Sequence, residues 1–148
     1  MRLDVDPEMP DGRKPKTNVV VSMVRAGRVK RVEAALAAGF QPNTEATQGG
    51  VGFGTQRTCM HYAAMTCNIR MMSVLLRYGA DVNVRDKWGN TPLHYAQVAD
   101  SLGDAVDFLL DRGANDLLTN GVGMRARDKR IGVNTKTFEP LSKTEVQE

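Results

Sequence analysis

The segment Thr91-Pro92-Leu93-His94-Tyr95-Ala96 repeats, with two substitutions, the segment Thr58-Cys59-Met60-His61-Tyr62-Ala63 that lies 33 residues earlier. Self-similarity at a period of this length is typical of repeat architectures, in which one supersecondary unit is copied along the chain. Such units bury their apolar faces by stacking on each other. The sequence therefore predicts a stack of similar units.

The residues that follow each segment predict a second helix and a defined end to it. Gly79 and Gly113, each followed by alanine, are suited to terminating a helix. They lie 34 residues apart, one more than the two segments, so we expect an inserted residue and a loose turn at 100–103. Apolar residues recur at helical spacing before these glycines: Ile69, Met72, Leu75 and Leu76 in one unit, and Val106, Leu109 and Leu110 in the next.

The Thr-Pro-Leu-His-x-Ala phrase at Thr91 and the 33-residue period resemble the ankyrin repeat. The resemblance covers roughly residues 18–131 and implies an all-α solenoid of stacked helix–turn–helix units joined by extended finger loops. It implies two full repeats from Thr58 onward, a capping repeat at 24–39 and a degenerate C-terminal cap at 121–128. Residues 1–17 and 132–148 are predicted to be polar tails.

Composition favours a soluble intracellular protein of one domain. The chain has 148 residues, of which 41% are hydrophobic and 25% charged, with a net charge of +3. Its apolar stretches are too short to cross a membrane, and its first residues do not form a signal peptide. Cys59 and Cys67 suggest no disulfide framework. We therefore expect a cytoplasmic protein, with the nucleus or the cytoskeleton as other possible locations.

The reactive residues favour a non-enzymatic protein without cofactor, metal or small-molecule substrate. His61 and His94 occupy the same place in two repeats, and the resemblance implies that each hydrogen-bonds locally and ties a finger to a helix pair. Cys59, His61 and Cys67 lack a fourth ligand for zinc. The glycines at 49–54 lie in a seven-residue insertion of the first finger, but their spacing matches no phosphate-binding fingerprint. We predict instead that this loop is mobile.

The resemblance implies a concave recognition surface made of finger tips and first helices. Trp88, the only tryptophan, is prominent because tryptophan and arginine dominate interface hot spots. An alternative is that Trp88 folds back over a neighbouring finger. The candidate partner-binding residues are Arg85, Lys87, Trp88 and Asn90 of one finger, Thr55 and Arg57 of the first finger, and Met65, Thr66, Val98 and Ala99 of the first helices.

Three functions compete, all of them through protein contacts. The leading one is an adaptor or scaffold that uses the fingers and the concave face. The second is a structural subunit of a cytoskeletal (ciliary or microtubule) or ribonucleoprotein assembly, anchored by the tails and two basic clusters. The third is an ankyrin-type regulator or inhibitor of an enzyme such as a kinase. The clusters could attract an acidic surface or nucleic acid, or they could be solvated. The first contains Arg25, Arg28, Lys30 and Arg31, and the second contains Arg125, Arg127, Lys129, Arg130 and Lys136.

Overall fold

Six helices form three consecutive pairs in the computed structural model of the chain, which describes residues 16–45, 54–100 and 102–126. These residues contain no strand, only an isolated antiparallel bridge between Thr119 and Arg125. The all-α prediction is therefore confirmed. The helices are α1 (Thr17–Arg25), α2 (Val29–Ala37), α3 (Cys59–Met65), α4 (Ile69–Arg77), α5 (Pro92–Ala99) and α6 (Asp104–Asp111).

The helices lie in two layers. The first helices of the pairs, α1, α3 and α5, pack side by side, and the second helices, α2, α4 and α6, form the other layer. The first unit, which the sequence suggests is only a cap, is a complete helix pair. The fourth unit contributes a finger as far as Ala126, and no helix among the described residues.

The core is continuous through all three pairs. Ala35, Leu75 and Leu109 occupy matching positions on the second helices, four residues before Gly39, Gly79 and Gly113, and each is fully buried. Leu110 was predicted to belong to the apolar stripe, but 39% of it is exposed. Its equivalent, Leu76, faces the next helix pair, whereas α6 is the last helix that the structure describes.

Each finger is hydrogen-bonded to its neighbour. The Lys87 N–H donates to the Thr55 carbonyl at 2.8 Å, and the Gly121 N–H donates to the Trp88 carbonyl at 2.8 Å. Gly89 has a φ of +80°, and an added Cβ would lie 3.2 Å from the Asn120 Cα. The finger turn therefore favours glycine both for its backbone conformation and for the close approach of the next finger.

Asp100 ties the turn before α6. Its carboxylate accepts hydrogen bonds from the N–H groups of Leu102, Ala105 and Val106 at 3.2, 2.7 and 3.2 Å. Gly103, which immediately precedes the helix, has no side chain to cap it, so Asp100 takes this role. Partial burial works against the charged form, but these bonds lower the pKa of Asp100.

Several predictions concern residues that the structure does not describe. The glycine-rich loop at 49–54 lies outside the described residues except for Gly54. Of the two predicted tails, only Lys16 and Thr17 are described. Of the second basic cluster, only Arg125 is described.

Candidate protein-binding surface

Both histidines connect a helix pair to the following finger. The Thr58 N–H donates to His61 Nδ1 at 3.0 Å, so His61 Nε2 carries the proton and donates to the Asn90 carbonyl at 2.9 Å. His94 repeats this arrangement with the Thr91 N–H and the Met124 carbonyl, both at 3.0 Å. The structural role predicted for these side chains is confirmed. Burial lowers the pKa of His61 to about 4, so the ring is neutral at physiological pH.

A buried polar network lies at the root of the second finger. Asp86 Oδ1 accepts hydrogen bonds from the N–H groups of Trp88 and Asn90 at 3.0 and 2.9 Å. Asp86 Oδ2 accepts a short hydrogen bond from the Tyr95 hydroxyl and lies 3.5 Å from Arg57 Nε. Arg57 Nη2 donates to the Tyr95 Oη at 3.0 Å. The network therefore joins the first finger, the second finger and α5.

Two of the candidate contact residues are buried in this network. Arg57 is 7% exposed and Asn90 is 1% exposed. Asn90 Nδ2 donates to the Tyr95 Oη at 3.4 Å, and its Oδ1 accepts from Asn120 Nδ2 at 2.8 Å. Burial, together with the charge of Asp86, raises the pKa of Tyr95, which keeps its hydroxyl protonated. Arg57 and Asn90 thus hold the fingers in place with their side chains turned inward.

Trp88 lies against the preceding finger. The guanidinium carbon of Arg57 is 5.1 Å from the centroid of the Trp88 ring and equally far from that of Tyr95. These distances are within the range of cation–π contacts. The alternative stated for Trp88 from sequence, that it folds back over its neighbour, is therefore the arrangement observed. The side chain is nevertheless only half-buried.

The other candidate residues fall into two groups. In the finger group, Arg85 and Lys87 are exposed, and Thr55 is half-buried beside Lys87. In the helix group, Thr66 is exposed at the end of α3, and the remaining three side chains are half-buried. These three are Met65 on α3 and Val98 and Ala99 on α5, the neighbouring first helix.

The side chains of His61, His94 and Cys59 are all buried. No group of three His, Cys, Asp or Glu side chains in the described part could hold a metal ion. Burial raises the pKa of the Cys59 thiol to about 12, so it is not a thiolate at neutral pH. Among the helices described, none is long and apolar enough to cross a membrane.

Sequence reasoning did not identify Tyr95 as a central member of the network. A usable signal was present, because tyrosine occupies the same place in both repeated segments, as Tyr62 and Tyr95. Tyr62 Oη is buried, yet in the part of the chain that the structure describes it has no hydrogen-bond partner. The residue 33 positions before Asp86 is Phe53, so the carboxylate that binds Tyr95 is not repeated for Tyr62.

Comparison with known proteins agrees with this architecture. A family model described as ankyrin repeats, in three copies, matches residues 21–120. The chain is 32% identical over 82 residues to the ADP-ribosylation factor GTPase-activating protein AGD2 of Arabidopsis thaliana, covering 55% of this chain and 10% of the relative. It is 38% identical over 64 residues to human protein phosphatase 1 regulatory subunit 27, covering 43% and 41%. It is 37% identical over 65 residues to the putative ankyrin repeat protein FPV219 of Fowlpox virus, covering 44% and 15%. The match spans less than half the length of each relative.

Proposed function

Because the chain belongs to the ankyrin repeat family, whose repeats are protein-interaction modules, we propose that it is a non-enzymatic adaptor or scaffold that binds a partner through its second finger. The observation that carries this proposal is the finger at 85–88. Arg85 and Lys87 are exposed there, and half-buried Trp88 contacts the Arg57 guanidinium with its ring.

The buried network supports this role because it pre-organises the finger. Asp86 fixes the backbone on both sides of Gly89 through the Trp88 and Asn90 N–H groups. A loop that is already ordered loses less conformational entropy when a partner binds, so more of the contact energy appears as affinity. Arg57 and Asn90 lie beneath the proposed surface and hold the finger in place.

The chemistry of the finger favours an acidic partner surface. Arg85 and Lys87 are both cationic and exposed, and the part of Trp88 that remains accessible offers an aromatic contact next to them. Met65 and Val98, half-buried on α3 and α5, supply the apolar part of the proposed contact. Cys59 and Cys67 are free thiols, which supports an intracellular, reducing compartment.

The test is capture of a partner from the native source, followed by titration of purified components. The charge reversals Arg85→Glu and Lys87→Glu leave the buried network intact, so each is expected to weaken binding about fivefold or more at low salt. Trp88→Ala is expected to cost about 2–4 kcal/mol of binding free energy. Arg28→Glu, an exposed arginine of the first unit, is the matched control and should bind normally. Unchanged affinity in all three finger variants would contradict the proposal.

A second candidate is regulation of an enzyme. It is favoured by the 38% identity to a protein named as a phosphatase regulatory subunit, of which this chain covers 41%. The distinguishing measurement is the activity of the captured partner. A scaffold leaves the turnover of a bound enzyme unchanged, whereas a regulator raises or lowers it in proportion to occupancy.

The third candidate, a subunit of a larger assembly, depends on the tails, of which only Lys16 and Thr17 are described, and on the two basic clusters. It is separated from the adaptor by comparing the full chain with a chain of residues 16–126. If the shorter protein stays folded by circular dichroism and still binds, the fingers carry the interaction. If it stays folded and loses binding, the tails carry it.

A further inference from the structure

A cavity of about 500 Å³ lies between α4 and the end of α6, in the layer of second helices. Its walls include Ser73, Leu76 and Arg77 of α4, and Arg112, the residue that follows α6. None of these four residues belongs to the proposed finger surface. The cavity is therefore separate from the finger surface.

We call the contact between two neighbouring second helices a junction. The junction between α2 and α4, which precedes the one between α4 and α6, shows what Arg77 can bind. There Arg77 Nη1 lies 3.3 Å from Glu33 Oε2, so an ion pair joins α4 to α2. Glu33 stands six residues before Gly39, and the residue six before Gly79 is Ser73. At the next junction, α4 therefore offers a hydroxyl at the position where α2 offers a carboxylate.

The charge of the cavity is provided by arginine on both sides. Arg112 is exposed, with its guanidinium carbon 4.9 Å from the centroid of the Phe108 ring. Arg77 is also exposed and already binds one carboxylate at the edge of the same cavity. Guanidinium groups bind carboxylates with well-matched geometry, and Leu76 adds an apolar wall between them.

We propose that this cavity binds an acidic peptide segment of a partner protein. A carboxylate of the peptide pairs with Arg112 and Arg77. The Ser73 hydroxyl donates a hydrogen bond to the same carboxylate, and an apolar side chain of the peptide covers Leu76. A volume of about 500 Å³ is within the range of pockets that bind ligands through a few polar groups.

This site would make the protein bivalent. It lies in the layer of α2, α4 and α6, whereas Met65 and Val98 lie on the first helices. Two peptides, or two parts of one partner, could then bind at the same time, and linked contacts gain affinity through effective concentration. The inference goes beyond the proposed finger contact and is tested separately from it.

The experiment is a fluorescence-anisotropy titration of the full chain with a fluorescein-labelled peptide of four Glu-Glu-Leu repeats. A peptide of four Gln-Gln-Leu repeats tests whether charge is required, and it should not bind measurably. Arg112→Gln is expected to weaken binding of the acidic peptide about fivefold. Glu33→Gln is expected to strengthen it, because Arg77 loses its internal partner. Circular dichroism verifies that both variants are folded.

Arg85→Gln detects any binding of the acidic peptide to the finger. Arg28→Gln is the matched control, since it removes an exposed arginine of the first unit and leaves the cavity and the finger intact. Unchanged affinity in these two variants, together with the loss in Arg112→Gln and the gain in Glu33→Gln, is the expected result. Equal binding of the two peptides would overturn the proposal. So would equal affinity of wild type and Arg112→Gln, or a loss in Arg85→Gln alone, which would place the acidic peptide on the finger.

Discussion

Each histidine of the repeated segments uses both ring nitrogens, one as acceptor and one as donor. In His61 the acceptor binds the Thr58 N–H, and the donor binds the Asn90 carbonyl of the next finger. A second proton on Nδ1 would break the first of these bonds and place a charge in the core. The neutral ring is therefore a condition for the connection between repeat and finger.

This requirement predicts a pH-dependent stability. The pKa of His61 is about 4 in the folded chain, against 6.5 for an unperturbed histidine, so the unfolded chain takes up a proton first as the pH falls. The contribution of neutral His61 to the free energy of unfolding is complete above pH 6.5 and is lost progressively towards pH 4. At pH 5 the free energy of unfolding should be lower by about 2 kcal/mol from this group alone. Urea unfolding at pH 7 and pH 5 measures it, and His61→Gln should show a smaller drop. Equal drops would contradict the assignment.

Arg57 illustrates how a residue suited to binding is used for support. Its guanidinium is the cation beside Asp86 Oδ2, and it also contacts the Tyr95 and Trp88 rings. Burial opposes the charged form, but the interactions with Tyr95 and Asp86 raise the pKa of Arg57, so it stays charged. Removing it would leave a buried carboxylate without its cation.

We therefore predict that Arg57→Gln lowers the free energy of unfolding by about 3 kcal/mol. Arg85→Gln, an exposed arginine on the adjacent finger, should change it by less than about 0.5 kcal/mol. Urea unfolding at pH 7 compares the two variants with the wild type. If both variants unfold at the wild-type midpoint, the network does not stabilise the fold in this way.

At the scale of the element, the start of α6 depends on a residue that precedes the helix by four positions. Asp100 accepts three backbone N–H groups across a turn that contains the inserted residue. The sequence suggests that this turn is loose because Gly103 occupies the position before the helix. The Asp100 carboxylate supplies the cap that glycine cannot.

Asp100→Ala should accordingly cost about 1–2 kcal/mol and fray the first turn of α6. The sensitive measurement is amide hydrogen exchange, which should accelerate at Ala105 and Val106 more than in α4. Asp104→Ala, an exposed acidic residue in the first turn of the same helix, serves as the control and should have a smaller effect. Exchange rates at Ala105 and Val106 that stay at wild-type values would refute the capping role.

At the scale of the whole molecule, the three helix pairs share one core, and the middle pair contacts both neighbours. Leu75, on α4, has no exposed surface. Stability in a stack of this kind is the sum of each unit and its nearest-neighbour interfaces, so damage in the middle unit affects both interfaces.

Leu75→Ala is expected to destabilise the protein by about 2–5 kcal/mol through the cavity that it leaves. Because the middle pair connects the other two, we expect amide protection to fall in all three pairs. Arg70→Ala, which truncates an exposed side chain on α4, is the control with little effect. A loss of protection confined to α3 and α4 would show that the pairs open independently.

The sequence determined the architecture in two ways. Helical spacing of apolar residues and terminal glycines predicted the second helices, because these signals act over a few residues. The repeated phrase and its 33-residue period showed a resemblance to the ankyrin repeat, and that resemblance implied the helix pairs and the histidine connections. The first unit was predicted as a cap at 24–39, because it lacks the Thr-Pro-Leu-His phrase, whereas its first helix begins at Thr17. Its apolar residues, including Val20, Val21, Val32 and Leu36, are nevertheless buried in the core.

Only the tertiary structure decided which finger residues face solvent and which face inward. Arg57 and Asn90 are polar and lie in finger positions, so sequence alone assigned them to the binding surface with Arg85 and Lys87. Their burial depends on Asp86 and Tyr95, which the stacking of adjacent repeats brings to within hydrogen-bond distance of Arg57 from 29 and 38 residues away in the sequence. A residue type reports what a side chain is able to bind. Whether that partner is internal or external depends on contacts that form only when the repeats have packed.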